Sequence, residues 1–197
     1  MKMNLLNRRT VSVLICMLAS AGMLVSAQNL SIKSSEVSVN GDTNVSHKFS
    51  IKVTEVNGNM TLANNRPQTL TVEIPVRSLS SDEKLMEKKT HEAFNEPKNP
   101  KITFKMTELG SIQKSGDKIT VSVTGDLSMN GTTKKVTLKA DGKELKPGSY
   151  TIQGSLPIKM SDYGMKAPTA MMGTMKTKDL VTVDYKVTFE GAVIDFN

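Results

Sequence analysis

Ile119-Thr-Val-Ser-Val-Thr-Gly-Asp-Leu-Ser-Met129 decides the fold class, because its apolar residues stand at alternate positions. Alternate residues of an extended chain share one face, so this stretch predicts a strand with one buried and one hydrated side. Asn130-Gly131 follows, a pair typical of a two-residue type I′ turn, and the alternation resumes at Val136. Residues 119–140 are therefore predicted to form a β-hairpin.

The same period of two recurs along the chain and predicts about eight strands in all. Asp141-Gly142 is expected to mark the reversal after the hairpin. Other strands are expected at 45–53, 70–76, 102–106, 150–160 and 181–189, with weaker arms at 32–39 and 59–62. Such strands pair as a sandwich or close as a barrel, and closure removes exposed edges. The inward faces are mostly Val, Ile, Leu and Met and the chain has no Trp, which favours a hollow barrel.

One segment predicts a helix instead. Ser80 and Glu83 have the spacing of a capping box, and residues 84–94 follow without Gly or Pro. His91 falls off the apolar stripe of this helix, so it is expected at the surface.

The N-terminus reads as a secretory signal peptide. Lys2, Arg8 and Arg9 precede an apolar run, and small residues before the end of residues 1–27 predict cleavage after Ala27. Residues 28–197 are then one domain, periplasmic or secreted. The only cysteine, Cys16, lies inside the signal, which excludes disulfides and a cysteine nucleophile in the mature chain.

Composition excludes several function classes. The signal carries three of the 26 basic residues and none of the 19 acidic ones, which leaves a mild net charge of +4. The lysines alternate along strands without an aromatic platform, so no nucleic acid partner is expected. Two histidines 44 positions apart make no metal site, and no nucleophile elbow, phosphate loop or HExxH motif occurs. We therefore expect no enzyme and no cofactor.

The connection at residues 161–180 is unusually long and apolar. Loops of this length in compact domains are often lids or binding loops, and this one is expected to cover the mouth of an apolar cavity. Met171, Met172 and Met175 are either soft thioether ligands for Cu(I) or adaptable apolar contacts.

Three polar residues are candidates for holding a ligand headgroup. His47 falls on the apolar face of its predicted strand, where it either bonds a headgroup or serves as a core histidine. Asp162 and Tyr163 begin the long connection, where they either bind a headgroup or form a turn.

A series of motifs, taken in this order, resembles the YceI-like family of exported bacterial proteins over nearly all of residues 28–197. They are Ile74-Pro-Val-Arg-Ser-Leu79, Lys84-Leu-Met86, Pro100-Lys-Ile-Thr-Phe104, Gly125-Asp-Leu-Ser-Met-Asn-Gly131, Val136-Thr-Leu138 and Lys159-Met-Ser-Asp-Tyr-Gly-Met-Lys166. Many relatives carry Trp where this chain has Phe49, so the polar end of the ligand site is expected to differ.

The resemblance implies a mainly β fold, an eight-stranded antiparallel lipocalin-like barrel with one short α-helix. It also implies that the barrel holds a polyisoprenoid or a similar long apolar lipid, such as a quinone-like molecule. The alternatives are a structural or stress-related envelope module with a closed pore, and a Met-rich copper-binding protein. Transient membrane contact is compatible with a carrier, and the oligomeric state is left open. The predicted ligand-binding residues are Val45, His47, Phe49, Phe104, Met106, Met160, Asp162, Tyr163, Met165, Lys166, Met171, Met172, Met175, Tyr185 and Phe189.

Overall fold

The computed structural model describes residues 28–196, and the predicted signal peptide lies outside this range. Its main elements are β1 (Gln28–Asp42), β2 (Lys48–Val53), β3 (Asn57–Ala63), β4 (Arg66–Pro75), β5 (Leu79–Ser80), α1 (Lys84–Phe94), β6 (Lys101–Ser115), β7 (Lys118–Met129), β8 (Thr132–Lys146) and β9 (Ser149–Lys159). They are followed by β10 (Thr169–Ala170), β11 (Met175–Lys176) and β12 (Leu180–Gly191). Short 3-10 turns occupy Val76–Ser78, Met160–Tyr163 and Met171–Gly173.

Antiparallel pairing runs once around the molecule and closes on itself. Each strand pairs with the next in the series β4, β6, β7, β8, β9 and β12. The last of them, β12, pairs with β1 from Leu30↔Gly191 to Asn40↔Thr182. β2 and β3 share one position in the wall, since they pair with opposite ends of β1. The result is a closed eight-stranded antiparallel barrel with one helix, so the predicted fold class is confirmed.

The barrel has two ends, which we name for what lies on them. The helix end carries the turn 43–47, α1, the turn 130–131 and the connection 160–179. The tail end carries the turns 64–65, 116–117 and 147–148 and the C-terminal residues 192–196.

The turns confirm one expectation and correct another. Asn130 and Gly131 have φ angles of 48° and 72°, as a type I′ turn requires, so the predicted hairpin is confirmed. The predicted reversal at Asp141-Gly142 is wrong, because β8 continues to Lys146 and the chain turns after it. Gly142 instead permits close approach of two strands, since a Cβ there would lie 2.4 Å from the Thr151 carbonyl oxygen.

Two stretches of the described wall lack cross-strand pairing. β8 and β9 pair only from Ala140↔Gly154 to Lys146↔Ser149, which leaves residues 155–159 without partners on β8 at the helix end. We call this the β8–β9 gap. β4 and β6 pair only from Thr71↔Lys105 to Pro75↔Lys101, which leaves a β4–β6 gap at the tail end. Bulges in β6 beyond Met106 turn that strand away from β4.

The helix spans the predicted residues, but its start differs from the prediction. Ser80 is not the N-cap, because Glu83 occupies that position without a side-chain cap bond. The Ser81 N–H and the Ser80 hydroxyl donate instead to the Glu87 carboxylate, at 3.0 and 2.9 Å. These two bonds, the Ser81 N–H first, lower the pKa of Glu87.

His91 is half-buried, so the prediction that it lies at the surface is wrong. One ring nitrogen, Nε2, lies 2.8 Å from the Leu79 carbonyl oxygen, and the other lies 3.5 Å from the Glu96 carboxylate. The ring therefore ties α1 to β5. None of the helices within residues 28–196 is long and apolar enough to cross a membrane.

Candidate functional site

Strand register assigns one face of each strand to the barrel interior. Val53, Val37, Tyr185 and Gly154 are successive cross-strand partners on four neighbouring strands, so they share that interior face. Residues one position away then lie outside, and they are polar: Lys52, Ser38, Asp184 and Ser155. The interior is therefore apolar, as the alternation predicts.

Inward side chains near the two gaps are less buried than those elsewhere in the lumen. Buried apolar side chains fill both ends: Val76, Leu79, Phe94 and Met129 at the helix end, and Leu30, Ile119 and Tyr150 at the tail end. Inward side chains near the two gaps are only half-buried: Val136, Leu138, Leu156 and Val183 near the β8–β9 gap, and Met106, Leu109 and Ile112 near the β4–β6 gap. A filled core would bury them, so they line space that solvent reaches.

The C-terminal residues 192–196 close the tail end, and we call them the tail plug. The Ile194 N–H donates to the Tyr150 hydroxyl oxygen at 2.9 Å, and Tyr150 is only 2% exposed. The rings of Tyr150 and Phe196 meet edge to face with centroids 5.9 Å apart. The Lys114 ammonium lies 5.4 Å from the Phe196 centroid. Hydrogen bonding and ring packing thus fix the plug.

An apolar cavity of about 50 Å³ lies inside the barrel next to the plug. Its walls include Met106, Ile112, Val121, Ile152 and Phe189. One liquid water takes up about 30 Å³, so this space is far smaller than a long lipid chain. A long ligand therefore needs side chains to move or a gap to widen.

A groove of about 690 Å³ lies along the wall formed by β2, β1, β12 and β9. Its lining includes two rows of outward residues, Lys52, Ser38, Asp184 and Ser155 in one and Glu36, Lys186, Gln153 and Asp141 in the other, and between them the row Val53, Val37, Tyr185 and Gly154. Asn40 Nδ2 donates to the Asp184 carboxylate at 2.7 Å, and Ser155 donates to the same carboxylate. The outward side chains of this groove are polar or charged, so the apolar lumen is the better match for an apolar ligand.

Five of the predicted site residues lie on the interior face. Phe104 and Phe189 are buried, and Met106 and Phe189 line the apolar cavity. The half-buried Phe49 packs over Gly41, where a Cβ would lie 2.3 Å from the ring. Tyr185 lies across Gly154, and its hydroxyl donates to the Lys139 carbonyl oxygen at 3.2 Å. That carbonyl borders the β8–β9 gap, so the hydroxyl takes the place of a missing strand partner.

Val45 and His47 do not lie on the interior face, so their predicted orientation is wrong. The strand begins at Lys48, because a tight turn precedes it in which Ser46 has a φ of 60° and donates its N–H to the Thr43 carbonyl oxygen. Val45 is 56% exposed. His47 lies outside, with Nε2 3.3 Å from the Glu83 carboxylate.

The long connection divides into a buried part and an exposed part. Met160, Tyr163 and Met165 are buried at the helix end, while the neighbouring Asp162 and Lys166 are exposed. β10 and β11 then form a small hairpin, residues 169–176, which we call the methionine hairpin. Met171 and Met172 at its tip are 70% and 105% exposed, and Met175 is half-buried. The predicted role of the connection as a cover over a cavity mouth therefore does not extend to Met171 and Met172, which face solvent.

Asn44 clamps the methionine hairpin to the turn 43–47. Its Nδ2 donates to the Thr174 carbonyl oxygen at 3.0 Å, and its Oδ1 accepts the Lys176 N–H at 2.7 Å. The Asn44 N–H also donates to the Lys176 carbonyl oxygen at 2.9 Å. Beside it, the buried residues Thr43 and Thr177 form a β-bridge. The hairpin and the turn are thus held as one unit.

Two carboxylates anchor the base of the connection. The Lys178 ammonium lies 2.6 Å from the Asp42 carboxylate, and this bond is the main cause of a lowered Asp42 pKa. Asp179 accepts the Ser161 hydroxyl at 2.6 Å and the Ser161 N–H at 2.8 Å, and these bonds lower the pKa of Asp179.

Two interior-side tyrosines have raised pKa values because burial disfavours the phenolate. Desolvation alone raises the pKa of Tyr185, while for Tyr163 the nearby Asp162 carboxylate adds to the same effect. Both rings therefore stay neutral at ordinary pH, and the Tyr185 hydroxyl remains a donor to the Lys139 carbonyl oxygen.

Sequence reasoning missed three parts of this site: the tail plug, the two gaps and the Asn44 clamp. The apolar residues Val193-Ile194 and Phe196 after the last strand were the available signal for the plug. Gaps and clamp depend on contacts between residues far apart in the chain, which local patterns do not encode.

Comparison with known proteins matches this geometry to one family. The YceI-like domain matches residues 29–189. A UPF0312 protein of Pseudomonas paraeruginosa is 32% identical over 121 residues, which cover 57% of this chain and 61% of that protein. A UPF0312 protein of Pseudomonas putida is 30% identical over 135 residues, covering 64% of this chain and 67% of that protein. The chain thus spans a little under two thirds of the first of these relatives.

Solved structures share the barrel at low sequence identity. Burkholderia cenocepacia BcnA has a TM-score of 0.62 at 19% identity, covering 78% of this chain and 95% of its own. A polyisoprenoid-binding domain from Saccharophagus degradans has a TM-score of 0.66 at 14% identity, covering 82% and 97%. At such identities these likenesses show the fold alone. With its closed barrel and a family match over most of its length, the chain belongs to the YceI-like domain family.

Proposed function

We propose that this protein is an exported carrier that holds a polyisoprenoid or a similar long apolar lipid, such as a quinone-like molecule, inside its barrel, and that it catalyses no reaction. The observation that carries the proposal is the apolar lumen, whose inward side chains beside the gaps pack against the core but remain only half-buried. Membership of the YceI-like family and the fold shared with a polyisoprenoid-binding domain support it.

The energetics permit such a ligand. Burial of one methylene-sized group contributes about 0.8 kcal/mol, so roughly ten buried carbons contribute about 8 kcal/mol before ordering costs. Without losses this corresponds to a dissociation constant of about 1 μM, and each loss of about 1.4 kcal/mol to ordering raises it tenfold, so modest losses leave it in the range of tens of micromolar. The cavity of about 50 Å³ does not hold that many carbons, so binding must open the lumen further. The unpaired backbone along the two gaps gives the wall places to part without breaking ladder bonds.

A tryptophan reporter tests this directly, because the chain has no Trp of its own. Met106→Trp places an indole at the wall of the apolar cavity. Decylubiquinone, whose quinone quenches indole emission on contact, is expected to quench this reporter saturably at micromolar concentration. Leu156→Trp, beside the other gap, serves as a second reporter if the first variant fails to fold.

Leu145→Trp is the matched control. Leu145 is 59% exposed at the tail end and lies outside the lumen, so its indole should show only weak, non-saturable quenching. Saturable quenching in the control but not in the two lumen reporters would refute an interior site.

The small cavity specifically favours a second candidate, a structural or stress-related envelope module with a closed pore. That function predicts no saturable quenching at either lumen reporter. Export is a separate part of the proposal, drawn from the N-terminal sequence. N-terminal sequencing of protein recovered outside the cytoplasm should begin at Gln28, and a chain that retains residues 1–27 would contradict it.

A further inference from the structure

We propose that the methionine hairpin and the adjoining turn 43–47 dock on the surface of a membrane that contains anionic lipids. The inference rests on the proposed function for its purpose, since a lipid carrier has to collect or release its ligand at a membrane. The surface itself is argued from its exposure, backbone conformation and charge.

Exposed apolar side chains concentrate at the helix end. Of the seven large hydrophobic residues exposed within residues 28–196, five lie there: Val45, Leu85, Met171, Met172 and Leu180. Met172 is the most exposed of all, at 105%. Because Asn44 clamps the hairpin to the turn, Val45 and the two tip methionines belong to one rigid edge.

The tip also holds its methionines in an unfavourable backbone conformation. Met171 and Met172 have φ angles of 50° and 49°, the left-handed region that long side chains rarely adopt. Gly173 follows with a φ of 86°, so three consecutive residues lie at positive φ. Asn or Gly would fit the first two positions with less strain. The fold therefore presents two long apolar side chains to solvent where polar or small ones would be more stable.

The charges beside this edge are positive. The methionine hairpin contains Lys176 and no acidic residue, and Lys48 follows the turn 43–47. Lys166 and Lys176 are exposed and take part in no salt bridge within the described chain, while Lys48 lies opposite Asp42 on the neighbouring strand. The nearest acidic partners are already engaged, Glu83 with His47 and Asp42 with Lys178. Free ammonium groups around an apolar tip are suited to an anionic headgroup layer.

The protruding shape of the hairpin tip favours a lipid surface over a protein partner. A protruding tip with fully exposed side chains needs a surface that yields to it, and the fluid boundary between headgroups and acyl chains does so. A protein partner would need a preformed pocket for each methionine, and it is the outcome indicated if vesicles fail to bind.

Cosedimentation of the purified protein with vesicles tests the proposal. Vesicles of phosphatidylcholine and phosphatidylglycerol in equal amounts should bind the protein, and vesicles of phosphatidylcholine alone should bind it much less. Met171→Asn with Met172→Gly should lower the partition coefficient about tenfold, since two apolar side chains are lost. Both new residues tolerate positive φ, so the variant should melt no lower than the natural protein.

Leu145→Asn is the matched control, because it removes an equally isolated exposed apolar side chain at the tail end. It should bind vesicles as the natural protein does. The proposal would be overturned if the natural protein bound neither vesicle type, or if the double variant bound as well as the natural protein. It would also be overturned if binding did not depend on phosphatidylglycerol.

The two proposals fail separately. The double variant made in the Met106→Trp background should still show saturable quenching by decylubiquinone, since the tip lies outside the lumen. If decylubiquinone does not quench the lumen reporter while the protein still binds vesicles, the carrier function alone is refuted. Intact quenching with no vesicle binding refutes the docking surface alone.

Discussion

Removing the Tyr150 hydroxyl should loosen the tail plug and destabilise the whole barrel. Tyr150 is 2% exposed, and its hydroxyl oxygen accepts the N–H of the buried Ile194 at 2.9 Å. Tyr150→Phe keeps the ring and its edge-to-face contact with Phe196, so the change removes little more than one hydrogen-bond acceptor.

The magnitude follows from what is left behind. A buried donor without a partner costs about 1–3 kcal/mol, more than the net value of an ordinary exposed hydrogen bond. We therefore expect the free energy of unfolding to fall by about 1–3 kcal/mol, measured by urea denaturation followed by circular dichroism. The slope of the transition should not change.

Tyr185→Phe is the matched control, because it removes the same atom from a different environment. The Tyr185 hydroxyl donates to the Lys139 carbonyl oxygen at 3.2 Å beside the β8–β9 gap, where solvent can replace it. We expect a loss of about 0.5 kcal/mol or less. If Tyr150→Phe costs no more than Tyr185→Phe, the tail plug is not held as described.

Two further predictions concern the wall and the long connection. Gly125→Val should lower the free energy of unfolding, measured by urea denaturation, by about 1–3 kcal/mol. The reason is that a Cβ at this position would lie 2.5 Å from both the Phe104 ring and the Lys105 carbonyl oxygen. An unchanged denaturation midpoint would contradict this and show that the wall adapts. Asp179→Asn should lower the melting temperature at neutral pH, since the carboxylate bonded to Ser161 has a lowered pKa and stabilises the fold only while ionised. The difference from the natural protein should begin to shrink as the pH falls to about 4, the usual pKa of an unfolded Asp, and vanish only below the lowered pKa of the folded protein. A difference that persists unchanged in strong acid would contradict the anchoring role.

Most of the barrel wall is predictable because strand burial is a local, period-two property. Each wall strand repeats apolar residues on one face, and Asn130-Gly131 specifies its turn through backbone preferences of two adjacent residues. Such signals need no knowledge of distant contacts. The pattern leaves a sandwich and a barrel open, and the eight-stranded barrel was expected from the family resemblance.

The wrong predictions concern residues whose type is compatible with two different structural roles. Gly142 looks like a turn residue, but its missing side chain serves close strand approach instead. Val45 and His47 extend the alternation of β2 toward the N-terminus, yet the turn with positive φ at Ser46 delays the start of the strand to Lys48. His91 lies on the polar side of a helical projection but finds a partner in the Leu79 carbonyl oxygen on another element.

The site was harder to predict than the fold because its decisive features are long-range. Asn44 contacts residues 130 and more positions away, and Tyr150 contacts Ile194 across 44. The two gaps are absences of pairing between strands that each look regular in sequence. The tip methionines were recognised as unusual, but their exposure depends on how the hairpin is clamped.

The central claim is that the barrel holds a long apolar lipid. Organic extraction of the protein purified from its native host, followed by mass spectrometry, tests it most directly. The account predicts recovery of a polyisoprenoid or quinone-like molecule in an amount comparable to the protein, and none from a mock purification that lacks it. Recovery of no lipid, together with lumen reporters that decylubiquinone does not quench, would contradict the claim and favour the closed-pore module.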